Sequence, residues 1–256
     1  MLHLLSSRKT CEEKKPTDAK FAMKVLDYSK RSNVEFFRRI GGEPDFAGKT
    51  VLDVGCGAGA TVFCAAMKGA KEAVGVDVNS KALAFANLIL QKQQQPNVMF
   101  TDKMPDKKFD IVLSKDSFEH YDNPEEFILT LKSRIEQNGK LFIGFSPLWK
   151  SPYGGHIGGL TKLPWAHLIF PEKILMQELS RFQGEKVQSF QEHGLNKMTQ
   201  NRYRKIIQDA GLKFVFFKTN VSSGKSRIVF AMLRALCAIK PIREYFTVNV
   251  YSIIEQ

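Results

Sequence analysis

Long apolar runs are missing from this chain. No stretch approaches the roughly 18 consecutive apolar residues that a bilayer-spanning helix needs. The nearest candidate is the Arg-interrupted segment from Ile228 to Ile239, so no transmembrane segment is predicted. Cysteine is scarce, with Cys11, Cys56, Cys64 and Cys237 at no metal-ligand spacing, which predicts neither a metal site nor a disulfide. The opening MLHLLSSRKTCEEKK has an apolar part too short for a secretory core and meets charges at once, so a cytoplasmic location is expected. Internal repeats are absent, and the biased tract QKQQQ at 91–95 is too brief to be a low-complexity domain. Acidic residues are outnumbered, 26 against 38 Lys plus Arg, and the formal charge of +12 favours acidic partners. The basic residues are scattered, without the interleaved aromatic pattern of RNA recognition. Nucleic acid is therefore a secondary expectation, and peripheral contact with anionic lipid stays open.

What is present suits a soluble α/β domain of 256 residues, long enough to bury a sizeable core. Residues 17–40 set Phe21, Val25, Leu26, Val34, Phe36 and Phe37 among Lys and Arg, as amphipathic helices forming a lid or brace would. From Thr50 short β-rich runs alternate with helix-length segments, which predicts a parallel sheet covered on both faces. The strands are TVLDV (50–54), AVGVD (73–77), NVMF (97–100), FDIVLS (109–114) and KLFIGF (140–145). Asn79 or Ser80 caps a helix through Leu90, and Asn123, Pro124, Glu125 and Glu126 start another. The Gly-, Pro- and aromatic-rich stretch SPLWKSPYGGHIGGLTKLPWAHLIFPEK is too long for a simple connection and reads as a substrate cap. Beyond it come a helix from about Thr199 to Ala210 closed by Gly211, the strand LKFVFFK, a helix near 226–238 and the strand FTVNVYSII. The resulting division is a helical lid (1–46), a core (47–146), a cap (147–197) and a closing region (198–256) within one domain.

The chemistry concentrates in VLDVGCGAGA, which joins the first strand to a helix. Glycines there let the backbone approach a ligand while the helix N-terminus offers free N–H donors, so Gly55, Cys56, Gly57 and Gly59 form a ligand turn. Asp77, 22 residues past Gly55, ends the second strand, where a carboxylate can accept both hydroxyls of a ribose or simply cap the next helix. Gly55, Gly57 and Ala60 also satisfy the dinucleotide fingerprint. Asp53 separates the readings, because a carboxylate there repels a pyrophosphate and suits the cationic amino end of a methionine moiety.

These motifs, with VGVDVNS, FDIVLSKDSFEHYDNP and LKSRIEQNGKLFIGF in order behind them, resemble the class I S-adenosylmethionine-dependent methyltransferases, notably the type 11-like group, over about residues 40–146. The resemblance implies a doubly wound, Rossmann-like, seven-stranded and mostly parallel sheet with an antiparallel last strand and an inserted cap. It implies S-adenosyl-L-methionine as cofactor, its methionine part on the glycine loop and its ribose on Asp77. Val78 and Asn79 would line the adenine, and Asp102, with Thr101 or Met104 as alternatives, would take its amino group. Ser114, Lys115 and Asp116 would stand beside the reacting methyl. Asn138 and Gly139 stand where the family often turns through Pro-Gly.

Methyl transfer from a sulfonium is an in-line displacement, so alignment and desolvation carry most of it. A base is needed only for a protonated nucleophile, and the candidates are Asp116, His156 and His167. His156, Trp165 and His167 serve equally as pocket lining or ordinary packing, and His120 reads as a loop-orienting residue. The segment RIVFAMLRALCAIKPIREYF reads as a helix covering the sheet, with a lipid-touching surface helix as the alternative. The first functional expectation is methylation of a small-molecule or lipid-linked acceptor. An RNA methyltransferase or RNA-binding protein, and an NAD-type oxidoreductase or noncatalytic partner subunit, are the competing classes.

Overall fold

The computed structural model describes residues 31–221 and 227–256, so the expected helix positions Phe21, Val25 and Leu26 lie outside the described residues. Seven strands form one sheet: β1 (Thr50–Val54), β2 (Glu72–Val76), β3 (Val98–Thr101), β4 (Phe109–Lys115), β5 (Ile135–Phe145), β6 (Lys213–Val221) and β7 (Thr247–Glu255). Their order is β3-β2-β1-β4-β5-β7-β6. All neighbours pair in parallel except β7, which runs against both β5 and β6.

The alternation along the central strands explains the two layers. Val51, Ile111, Leu113 and Phe142 face one core with α1 (residues 31–39), α2 (Ala60–Met67) and α3 (Ser80–Gln93). Leu52, Val112, Leu141 and Ile143 face the other with α4 (Pro124–Ser133) and α7 (Gln200–Asp209). Strands buried on both faces read as unbroken apolar runs, which is how TVLDV and FDIVLS appear in the sequence. On α1 the spacing of Asn33, Phe36, Phe37 and Ile40 buries one stripe, while Val34 points outward at 70% exposure.

Local chemistry fixes the ends. Asn79 caps α3 by accepting from the N–H groups of Lys81 and Ala82, and Asn123 caps α4 by accepting from Glu126 N. Thr199 caps α7, and Gly211 at φ +67° follows its end. Tyr203 on α7 is fully buried and shares a 2.7 Å hydrogen bond with Ser252 on β7. One boundary departs from expectation: β5 begins at Ile135, and its pairing with β4 shifts register between Ile135 and Lys140, so Asn138 and Gly139 lie in an irregular stretch within the strand. Gly139 lets it lie close to β4, since a Cβ at that position would sit 2.9 Å from the carbonyl oxygens of Phe109 and Asp110.

The inserted stretch between β5 and α7 is more regular than its composition suggests. It holds α5 (Ala166–Ile169) and the twelve-residue α6 (Glu172–Gln183), whose Leu175, Met176 and Leu179 are buried with Phe190 and Leu195. This third, small core is separate from the two that cover the sheet. Two further helices, α8 (Arg227–Ala238) and α9 (Arg243–Phe246), connect β6 to β7. Among the described residues no helix is long and apolar enough to cross a membrane.

Candidate active site

The chain leaves β1 toward β2 on one side and returns to β4 on the other, so the carboxyl ends of β1 and β4 flank a crevice. The turn after β1 is left-handed at Gly55 (φ +80°), Gly57 (φ +52°) and Gly59 (φ +78°). Close packing explains two of these: a Cβ at Gly55 would meet Ser117 at 2.6 Å, and one at Gly59 would meet Phe100 at 2.3 Å. Gly57 is different, because nothing lies within 4 Å of its absent Cβ. Gly57 also borders a cavity of about 220 Å³ together with Asn33, Asp53, Gly55, Cys56, Thr61 and Asp116.

Asp53 is 2% exposed, on the same sheet face as Val51, and its Oδ1 has no hydrogen-bond partner. Burial pushes its carboxyl up to about 7, opposed by the nearby Lys115 charge. Asn33 on α1 accepts from Lys115 Nζ at 2.9 Å and from Thr61 Oγ at 3.3 Å, which leaves its buried Nδ2 unpartnered. A lone buried acceptor and a lone buried donor face one polar cavity, an arrangement that fits the ammonium and carboxylate of an amino-acid moiety. The residues present therefore suit the methionine end of the expected cofactor.

Asp77 joins the two turns. Its Oδ2 accepts from Gly57 N at 2.7 Å and its Oδ1 from Asn79 N at 2.8 Å. Val78 beside it is 92% exposed, and Asp102 stands exposed past the end of β3. This side of the crevice is an open ledge. Among the described residues no group of three or more His, Cys, Asp or Glu is arranged to hold a metal ion.

Asp116, just past β4, is held at φ +51° with its N–H donated to Gly144 O at 2.7 Å. Burial raises its carboxyl above the usual range, while Lys115 and Arg39 pull it down. Lys115 and Asp116 also line a second cavity of about 440 Å³ with Phe36, Arg39, Asn249 and Tyr251.

Three expected site residues are placed elsewhere. Ser114 is fully buried and pairs with Ser117 Oγ at 2.9 Å, so it braces the strand ends and lines neither cavity. His167 is buried in the inserted stretch, its Nε2 bonded to the Trp149 carbonyl at 2.6 Å and its ring packed against Trp149 and Phe190. That nitrogen must carry a proton to bond a carbonyl, so it is not free to accept one. His156 has a buried, unpartnered Nε2, its ring stands 5.4 Å from that of His120, and burial pushes it down to about 4. Neither histidine borders the two cavities, and of the three candidate bases only Asp116 does. His120 ties its loop to the inserted stretch through Nδ1 and the Gly194 carbonyl at 2.7 Å.

The model of the methyltransferase domain family matches residues 26–215, well over half of the chain. The chain belongs to that family. Its fold is that of the class I S-adenosylmethionine-dependent methyltransferases. A ubiquinone biosynthesis O-methyltransferase of Albidiferax ferrireducens is 33% identical over 113 residues, covering 41% of this chain and 44% of the relative. Another, of Azoarcus sp., is 32% identical over 155 residues, covering 56% of this chain and 65% of the relative. The first of these matches thus spans less than half of the relative's length. Among solved structures, an S-adenosylmethionine-dependent methyltransferase of Mesorhizobium loti superposes with a TM-score of 0.57 at 16% identity, over 90% of this chain and 100% of that one.

In this methyltransferase domain sequence reasoning passed over Asn33, Arg39, Thr61, Glu119 and Tyr251. On α1 only the apolar stripe carries a periodic signal, and polar residues on its flanks look like surface. Glu119, 4% exposed, is pushed up to about 8 by burial, with one oxygen accepting from Ser146 N at 3.4 Å and the other unpartnered. No one-dimensional pattern distinguishes it from a solvated acid in FEHYDNP.

Proposed function

We propose that this chain transfers a methyl group from S-adenosylmethionine to a small-molecule acceptor. The observation that carries the reading is the meeting of two cavities at Lys115 and Asp116, one beside the glycine turn and one beside α1 and β7. In this reading Asp53 and Asn33 hold the amino-acid end of the cofactor, Asp77 its ribose, and Val78, Asn79 and Asp102 the adenine along the open ledge. Glycine at position 57 keeps the space against the turn clear. When bound, the cofactor supplies an electrophilic methyl on a sulfonium and departs as a neutral thioether.

Asp116 then faces the acceptor. Its carboxylate takes the proton that a hydroxyl nucleophile gives up; burial raises that carboxyl, which suits it to hold a proton, while Lys115 and Arg39 pull it down. The relatives named as O-methyltransferases make an oxygen nucleophile the first chemistry to examine.

Calorimetric titration with S-adenosylhomocysteine and with NAD, in parallel, tests the reading. Micromolar binding of the first and none of the second is expected, with the first lost in Asp53→Ala. Absence of S-adenosylhomocysteine binding at millimolar concentration would overturn it.

A further inference from the structure

The second cavity has a composition that names a class of acceptor. Its charged lining is Arg31, Arg39 and Lys115 against Glu35 and Asp116. Lys115 and Asp116 are adjacent and offset one another, burial pulling the amine down and pushing the acid up. Glu35 is already held by two arginines: Arg38 donates from Nε and Nη2 at 2.8 and 2.7 Å, and Arg39 donates from Nε at 2.6 Å. Their donation holds the Glu35 carboxyl down at about 2, so it remains an anion on the cavity wall with both oxygens engaged by arginines. An excess of positive charge is left facing the cavity.

Arg39 is the oriented part of that excess. Nε is taken by Glu35 and one Nη1 donor by the Tyr251 hydroxyl at 2.8 Å, which locks the guanidinium plane and leaves the Nη2 pair for another acceptor. The side chain is 29% exposed, enough to reach a ligand yet partly desolvated. Beside it Phe36 and Tyr251 pack over Gly144, where a Cβ would meet the Phe36 ring at 2.5 Å, so glycine lets two aromatic rings, inclined at 55°, line the end of β5. Asn249, on the same strand as Tyr251, adds a neutral polar edge.

We propose that the acceptor is a compact, partly aromatic acid whose anionic group, a carboxylate or a phosphate monoester, is bound by Arg39 while its nucleophile faces Asp116. Arg39 is then a specificity-determining residue. The remaining guanidinium donors favour an anionic acceptor through charge-assisted hydrogen bonds, and an uncharged analogue forgoes that assistance. The inference rests on the methyltransferase reading of the same crevice.

The test uses the full-length protein saturated with S-adenosylhomocysteine and three probes: 2-naphthoate, its amide 2-naphthamide, and 2-naphthyl phosphate. Dissociation constants come from ligand-observed NMR. At least one of the two acids should bind tenfold or more tighter than the amide, and the stronger of the two identifies the anionic group. Arg39→Gln should bring the preferred acid to within about twofold of the amide while leaving the amide's constant unchanged. Tyr251→Phe, which frees the guanidinium without removing its charge, should weaken the acid by a smaller factor. Equal binding of acids and amide to the wild type, or a preference that survives Arg39→Gln, would overturn the proposal. S-adenosylhomocysteine affinity, measured first, separates the two failures: its loss in the wild type removes the methyltransferase reading, whereas its presence without acid preference removes only this one.

Discussion

The buried Asp53 carboxyl should make cofactor binding depend on pH in the neutral range. In the ligand-free protein burial pushes it up to about 7. The groups facing it are Lys115 from β4, Thr61 from α2, Asp77 beyond β2 and Cys56 in the glycine turn. Only the ionised form pairs with an ammonium, so S-adenosylhomocysteine should bind more tightly as pH rises through 7 and should release a proton from Asp53. For a group titrating there, about one molecule in ten is ionised at pH 6 and about nine in ten at pH 8, which gives a tenfold affinity change, or ~1.4 kcal/mol. Calorimetry at pH 6, 7 and 8 in buffers of different ionisation enthalpy reads both the slope and the proton release. Asp53→Asn should flatten the profile and bind at every pH at least as weakly as the wild type does at pH 6. A flat wild-type profile, or an Asn variant that keeps the slope, would refute the assignment of Asp53 to the amino end of the ligand.

Gly57→Ala should cost ~1–2 kcal/mol of stability from the left-handed backbone and weaken S-adenosylhomocysteine at least tenfold, because its Cβ projects into open cavity. Unchanged affinity by titration would contradict the cradle. Glu119 has a folded value near 8, above its ordinary 4.5, so its contribution to stability is complete at low pH and is lost as pH rises toward 8. Glu119→Gln should therefore melt higher than the wild type at pH 8 and gain little near pH 4.5; a pH-independent difference in melting temperature would argue against a buried neutral acid. Leu179→Ala should cost ~2–5 kcal/mol, confined to the small core of the inserted stretch. Proteolysis of residues 147–197 should accelerate while S-adenosylhomocysteine still binds, and loss of that binding would show the two cores to be coupled.

The glycine turn and its neighbouring carboxylate were legible because their signals are local. Gly55, Gly57 and Gly59 sit within five residues, and Asp77 follows at the end of one strand. Alternation between apolar runs and helix-length intervals likewise exposed the seven strands and their class. The second cavity was hidden because its walls come from segments far apart in the chain, Arg39 on α1 and Tyr251 on β7, which meet through a 2.8 Å hydrogen bond and a cation–ring contact. The histidines misled for the opposite reason. His156 and His167 carry the right chemistry at neutral pH, but their stretch folds around its own core and uses His167 for packing. Helix α6 went unread because the flanking Gly and Pro residues dominated its surroundings, although Leu175, Met176 and Leu179 follow helical spacing.

The reversed strand β7 orders events during synthesis. The glycine turn, Asp53, Asp77 and Asp116 are all made before residue 120, and their parallel pairings involve only β1 to β5. Tyr251 and Asn249 emerge more than a hundred residues after Gly144, and β7 must pair with β5 to bring them home, with β6 on its outer edge. Closing so long a loop is entropically demanding and slow relative to local contacts. A growing chain can thus form the crevice beside its glycine turn well before the second cavity has a complete wall.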